Sequence, residues 1–265
     1  MSEQPSPETP PIPQIQLPDP AWEHYTLYQR VRQMLFALPS FFTSALTISG
    51  VLATDLFTFN ASLGATIEAQ VADALNALRS TWDPDQRYTL YHFVRQPQTF
   101  PDVILHTTAP DQPSIILGIE LKGWYVLARE KEPSFRYRVT PAVCAPWDLL
   151  AIYPWVLSQA VSGSPRLFQP FVTPARYAAE YRNWWWQYHR EGKSERDIVF
   201  SQVHHFYPVK SDQIADKPTS DSGGNFGRLA RIGIMDAYIN AVFQEKLLGI
   251  SLDAWQDFLS KQASS

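Results

Sequence analysis

The chain has 265 residues, 45% of them apolar and 18% charged, which excludes a disordered polypeptide and suffices for one large domain or two small ones. Cys144 is the only cysteine, so no intrachain disulfide and no cysteine-based zinc site can form. The net charge of −4 argues against a protein coated in nucleic acid, but residues 122–231 hold 15 Lys/Arg and 10 Asp/Glu, a net of +5, against −9 for the remainder. Such a basic half can hold a polyanion while the whole stays acidic; scattered solvated charge is the plainer alternative.

Residues 1–20 are rich in proline, lack Lys and Arg, and read as a loosely packed arm. No secretory signal is evident, which makes a reducing, cytoplasmic setting the default expectation. Residues 21–265 read as a single domain, with a core over about 62–210 and a helical part over about 228–265. Residues 21–36 carry helical spacing (Tyr25, Tyr28, Val31, Arg32, Leu35) up to Pro39. Met34 to Thr54 is uncharged, yet it holds Pro39, Gly50 and six Ser/Thr residues. It predicts a buried or interfacial helix pair rather than a membrane span.

Residues 62–82 give the clearest amphipathic helix, with Ile67, Val71, Ala74, Leu75, Leu78 and Trp82 on one stripe, Ser62 as N-cap and Asp83-Pro84-Asp85 as the stop. Glu68 lies beside the stripe. The period then changes to two, predicting strands at 88–95, 103–107 and 114–122. A short helix or irregular stretch follows over 130–146, then a buried strand at 148–155 and a helix over 173–190 with Pro174 at its first position. Residues 199–209 read as strand-like and 211–227 as a loop. Residues 228–248 predict a long helix capped by Gly249, and 252–259 a terminal one.

The segment that carries chemistry is Pro101-Asp102, followed after 17 residues by Glu120-Leu121-Lys122. As letters it is weak: four Pro-Asp pairs occur, and a second acid-x-Lys triplet stands at Glu191-Gly192-Lys193. Context separates the copies. Glu191 follows a helix in a polar stretch, as a solvated charge would. Glu120 and Lys122 end an apolar strand and, by strand alternation, project to one face. Adjacent strands are about 4.8 Å apart, so a hairpin of 103–107 with 114–122 brings Asp102 close to Glu120. Two carboxylates in one site repel, and a hard cation with oxygen ligands relieves that conflict. The competing reading is an ordinary salt bridge of Glu120 with Lys122, with Asp102 a turn residue.

In this order Asp102, Glu120 and Lys122 resemble the PD…(D/E)xK signature of restriction-endonuclease-like nucleases, and Glu68 matches the extra acid many members carry on the preceding helix. The likeness covers 62–122 well and 148–200 loosely. It implies an α/β fold, a central mixed sheet flanked by helices in an αβββαβ-type core, with extra N- and C-terminal helices here. Pro133, Pro141 and Pro146 interrupt the helix expected between the third and fourth strands. The resemblance further implies Mg²⁺ held by Asp102, Glu120 and Leu121, catalysis by Asp102, Glu120, Lys122 and Glu68, and double-stranded DNA as substrate. A chain of this size is most like a type II restriction endonuclease, which would work as a homodimer because cutting both strands needs two sites. The alternatives are a repair, recombination or other defence nuclease of the same fold, or a non-catalytic DNA-binding protein.

Other residues carry weaker signals. Ser220 to Gly227 runs into the helix predicted from Arg228, where backbone N–H groups could face a phosphate. Asn225, Arg228 and Arg231 are candidate base or phosphate contacts, as are Arg136 and Arg138 just past the site. The alternatives are a flexible connector and solvated edges. His204 and His205, adjacent on a predicted strand, read as one core and one surface histidine. His92 and His106 read as structural. The three tryptophans at 184–186 cannot share one helix face, so at least one is expected at the surface or an interface.

Overall fold

The structure, a computed structural model, describes residues 10–44, 46–50, 60–190 and 195–262, without the side chains of 60–63. It is an α/β arrangement with a mixed central sheet flanked by helices. Residues 10–20 have no regular secondary structure, but Pro18 is buried and Trp184 Nε1 donates to the Pro10 carbonyl at 2.9 Å. Residues 1–9 and the Glu191-Gly192-Lys193 triplet lie outside the described residues.

Helix α1 (Tyr25–Ala37) buries Leu27, Tyr28, Val31, Met34 and Leu35 and passes into a 3₁₀ turn at Leu38–Ser40. The expected helix pair does not follow. Ile48 instead bridges Gly163, and Ala45 and residues 51–54 lie outside the described residues. No helix among the described residues is long and apolar enough to cross a membrane.

Helix α2 (Asn60–Ala77) begins two residues before Ser62, which is therefore not its N-cap, and α3 (Arg79–Trp82) continues it. The predicted stripe is buried at Ile67, Val71, Leu75 and Trp82, each worth about 1.5–3 kcal/mol against exposure. The strand expected from residue 88 starts only at 92, because Tyr88 and Tyr91 have spent their main-chain groups. Asp83 accepts the N–H of Arg87 and Tyr88, and the Arg79 guanidinium donates to the carbonyls of Tyr88 and Tyr91.

Strands β1 (His92–Arg95), β2 (Val103–His106) and β3 (Ile115–Tyr125) form an antiparallel meander. β4 (Leu149–Leu157) lies parallel to β3 and is buried throughout. Its other edge is shared: β5 (Pro165–Leu167) pairs with its second half and β6 (Phe171–Pro174) with its first. The helix expected between the third and fourth strands does not form; the connection contains a 3₁₀ turn at Pro141–Val143.

Helix α4 (Ala175–Trp184) starts after Pro174, which is the last residue of β6 rather than the first of the helix. A π-helical turn, Trp185–His189, follows; Trp186 is buried, while Trp184 and Trp185 are half-buried and neither stands free at the surface. The strand expected over 199–209 is only β7 (Ile198–Val199), paired with β8 (Lys217–Pro218) inside the predicted loop. Beyond it, Ser201 N–H donates to Asp216, Ser201 Oγ donates to the Gln213 carbonyl, and Val203 N–H donates to Ser201 Oγ. The predicted helix over 228–248 is also broken. Leu229–Arg231 is a 3₁₀ turn, Gly233 sits at φ +82°, and α5 is limited to Asp236–Gln244. Gly249 caps no helix: Leu248 and Gly249, at φ 54° and 83°, turn the tight hairpin of β9 (Lys246–Leu247) and β10 (Ile250–Ser251). Helix α6 (Leu252–Gln262) closes the described chain.

One buried ion pair ties the irregular segments together. Arg182, on α4, and Asp216 are 1% and 0% exposed and 2.7 Å apart. The guanidinium also donates from Nη1 to the carbonyls of Tyr137 and Val139, and from Nε and Nη2 to Asn183 Oδ1, so all five N–H donors are used. Arg182→Met should lower the unfolding free energy by about 3–5 kcal/mol, because it strands the Asp216 charge. Urea denaturation measures this; the double variant Arg182→Met, Asp216→Leu should recover only part, since the two carbonyls stay unpaired.

Candidate active site

The antiparallel register of β2 and β3 sets Val103 opposite Ile119 and so brings Asp102, at the head of β2, across from Glu120. The approach needs a residue without a side chain. A Cβ on Gly118 would lie 2.2 Å from Pro101 Cγ and 2.8 Å from Asp148 Oδ1. Pro101 thus seats on Gly118, two residues before Glu120 on the same face of β3. Asp102 Oδ2 then accepts the Leu121 N–H at 2.8 Å, and its carbonyl accepts the Gln96 N–H at 2.6 Å.

Lys122 Nζ lies 2.7 Å from Glu120 Oε1 and 3.7 Å from Asp102 Oδ2. Glu120 is 6% exposed, and its Oε2 is buried without a hydrogen-bond partner among the described residues. Burial and the Glu120 charge push the Asp102 carboxyl up to about 7, against the pull of Lys122 and the Leu121 N–H. Burial draws the Lys122 ammonium down, but Glu120 and Asp102 together outweigh it and hold it above its ordinary value. Glu68 stands beside this group on α2, paired at 3.0 Å with Arg95 of β1. Its carboxyl is raised by burial and by Asp102, with Arg95 and Lys122 opposing.

Asp102 and Glu120 line a cleft of about 220 Å³ together with Gln98, Val139, Lys210, Asp212 and Ile214. Beneath it, the fully buried Asp148 accepts the N–H groups of Gly118 and Ala145 at 2.8 Å and the Tyr207 hydroxyl at 3.3 Å. Burial pushes this carboxyl up to about 7 in spite of those donors.

The residues proposed from sequence therefore divide. Asp102, Glu120, Leu121 and Lys122 meet in one place, with Glu68 close enough to feel their charges. Arg136, Arg138, Asn225, Arg228 and Arg231 do not line the cleft. Arg228 and Arg231 share no α-helical face and are engaged: Arg228 lies 3.3 Å from Glu130, and Arg231 lies 2.5 Å from Glu132 and donates to Asn225 Oδ1 at 2.6 Å. The phosphate cradle expected at 220–227 is filled from within, because Asp221 accepts the N–H groups of Asn225 and Phe226. His204 and His205 are both exposed, so neither is a core residue. Arg95, Gly118, Asp148, Tyr207, Lys210 and Asp212 are not singled out by the sequence. Arg95, ending a predicted strand next to the Pro-Asp turn, was the most findable of them.

Among the described residues no group of three or more His, Cys, Asp or Glu side chains is arranged to hold a metal ion. Two carboxylates suit Mg²⁺ nonetheless, since that ion keeps several waters and takes one or two carboxylates beside substrate phosphates. The unpartnered Glu120 oxygen is one that a cation could take, while Lys122 already pairs with the other. No protein-family model matches the chain, and no curated protein or solved structure matches it.

The raised Asp102 carboxyl has a consequence for stability. The folded chain holds this proton more tightly than the unfolded one, so the contribution is full below about pH 4 and is lost as pH rises through about 7. Asp102→Asn keeps an acceptor for Leu121 but cannot titrate. Its stability, followed by denaturation between about pH 4 and 8, should fall less steeply than that of the native chain.

Proposed function

We propose that the protein is a Mg²⁺-dependent endonuclease that hydrolyses DNA phosphodiester bonds with a restriction-endonuclease-like core, cutting both strands at specific sites as a type II restriction enzyme does. The observation that carries the reading is the meeting of Asp102, Glu120 and Lys122 beside a cleft that the two acids line, with one Glu120 oxygen buried and unpartnered. The order α2, β1, β2, β3 and the parallel β4 support it as well. The missing helix between β3 and β4 is a departure from the family pattern.

Asp102, Glu120 and the main chain of Leu121 would hold Mg²⁺, which when bound supplies charge for the phosphoryl oxygens and acidity for a water. Lys122 would orient the attacking water and offset negative charge developing on the phosphate. It now lies against Glu120, so occupation of the pair by a cation would free its ammonium. Glu68, held by Arg95, contributes further negative charge beside the pair. Two sites are needed to cut a duplex, which is the argument for a homodimer.

The second reading, a non-catalytic DNA-binding protein, is favoured by two observations: Lys122 already pairs with both acids, and no larger cluster of metal-ligating side chains stands among the described residues. Plasmid digestion with and without Mg²⁺ separates the two. Discrete fragments support a site-specific enzyme, and smearing or branch-selective cutting supports a repair, recombination or other defence nuclease. Binding without cutting supports the second reading.

Asp102→Ala and Glu120→Ala should each remove Mg²⁺-dependent cleavage while the fold persists by circular dichroism; undiminished cutting would place the site elsewhere. Lys122→Ala should lower the single-turnover rate by about 10²-fold or more, with a much smaller change in Mg²⁺ affinity by calorimetry. Lys122→Arg should also be impaired, since a planar guanidinium cannot take the compact ammonium's place.

A further inference from the structure

The side of the cleft opposite Gln98 and Asp102 is a loop that leaves β7 and ends at Asp212. It is ordered without being a strand. Ser201 ties its start to Asp216 and Gln213. The Tyr207 hydroxyl accepts Trp147 Nε1–H at 2.8 Å and donates to Asp148. Its far end is a tight turn: Val209 N–H donates to Asp212 Oδ2 at 2.9 Å, and Asp212 N–H donates to the Val209 carbonyl at 2.9 Å.

That turn carries Lys210 at its outer corner. Lys210 lines the cleft beside Asp102, Glu120 and Asp212, is exposed, and has no ion pair or hydrogen bond among the described residues. Of the cations beside the paired acids, Lys122 is committed to Glu120 and Asp102 and Arg95 to Glu68, and no arginine lines the cleft. The cleft therefore presents three carboxylates and one uncommitted ammonium. Lys122 already offsets two of those carboxylates, so Lys210 is the lining cation left to take a phosphate of an entering phosphodiester backbone. The same loop exposes Phe200, Phe206 and Val209, which offers apolar contact for sugars and base edges beside a charged grip.

We infer that Lys210 is a substrate-positioning residue that binds a backbone phosphate of duplex DNA at the mouth of this cleft. The inference rests on the nuclease reading for its substrate. The turn locked by Asp212 fixes the main chain that carries Lys210 before DNA arrives, so only the side chain is left to order on binding.

The test is binding of a fluorescein-labelled DNA duplex in EDTA over a series of NaCl concentrations, read by anisotropy, with Mg²⁺-dependent cleavage assayed in parallel. Lys210→Ala should weaken binding by roughly threefold or more and flatten the slope of log K against log salt by about 0.9, the signature of one lost phosphate contact. Lys210→Arg should restore both. Lys246→Ala, on a hairpin that does not line the cleft, should match the native chain. If the native chain binds DNA and Lys210→Ala binds with the same affinity and slope, the inference fails, whatever the cleavage assay shows. If binding depends on Lys210 but no DNA is cut, the inference stands and the nuclease reading fails. A native chain that binds no duplex even at low salt overturns the inference, and cleavage then judges the nuclease reading separately.

Discussion

The Arg182 guanidinium, sealed against Asp216, is the interaction on which one wall of the cleft depends. The segments that build this wall, 137–140 and 201–216, have almost no regular secondary structure, so their main-chain groups need partners from elsewhere. Arg182 takes two of those carbonyls, and Asp216 takes the Ser201 N–H while its own N–H reaches the Arg138 carbonyl. Phe226 stacks on the same guanidinium with its ring centre 4.9 Å away. A planar group with five donors can join α4, the crossover and the wall loop at one point; a lysine could not.

The opposite wall is made differently. There the sheet supplies the geometry, and electrostatics sets the tension within it. Register puts two carboxylates across a strand pair, Gly118 lets Pro101 close on β3, and Lys122 offsets the repulsion that results. Asp148 links the two walls from below, because its carboxylate fixes Gly118 on one side and Tyr207 on the other.

The elements that were legible in the sequence share a property: their own periodicity is enough to specify them. The stripe of α2, the period-two and β-branched patterning of β2 and β3, and the continuous apolar run of β4 are local signals, and each element appears close to its predicted place. The failures have specific causes. Residues 88–91 alternate like a strand, but Arg79 and Asp83 had already claimed their main-chain groups. Residues 201–209 look like a strand until Ser201 and Asp216 take over the pairing. The run from 228 to 248 is helical in composition, but Gly233 breaks it and Leu248-Gly249 reverses the chain.

The same division holds for the candidate site. Asp102, Glu120 and Lys122 could be read from the sequence because alternation and one short hairpin suffice to bring them together. Arg95, Asp148, Tyr207 and Lys210 could not, since their roles rest on partners 27 to 59 residues away or on the shape of a turn. The sequence by itself determined the four strands β1 to β4 and which face of β3 carries charge, because strand patterning is a property of neighbouring residues. Only the tertiary structure decided which cations are spoken for and which one is left at the cleft, because ion pairing depends on distances that the chain sets by folding.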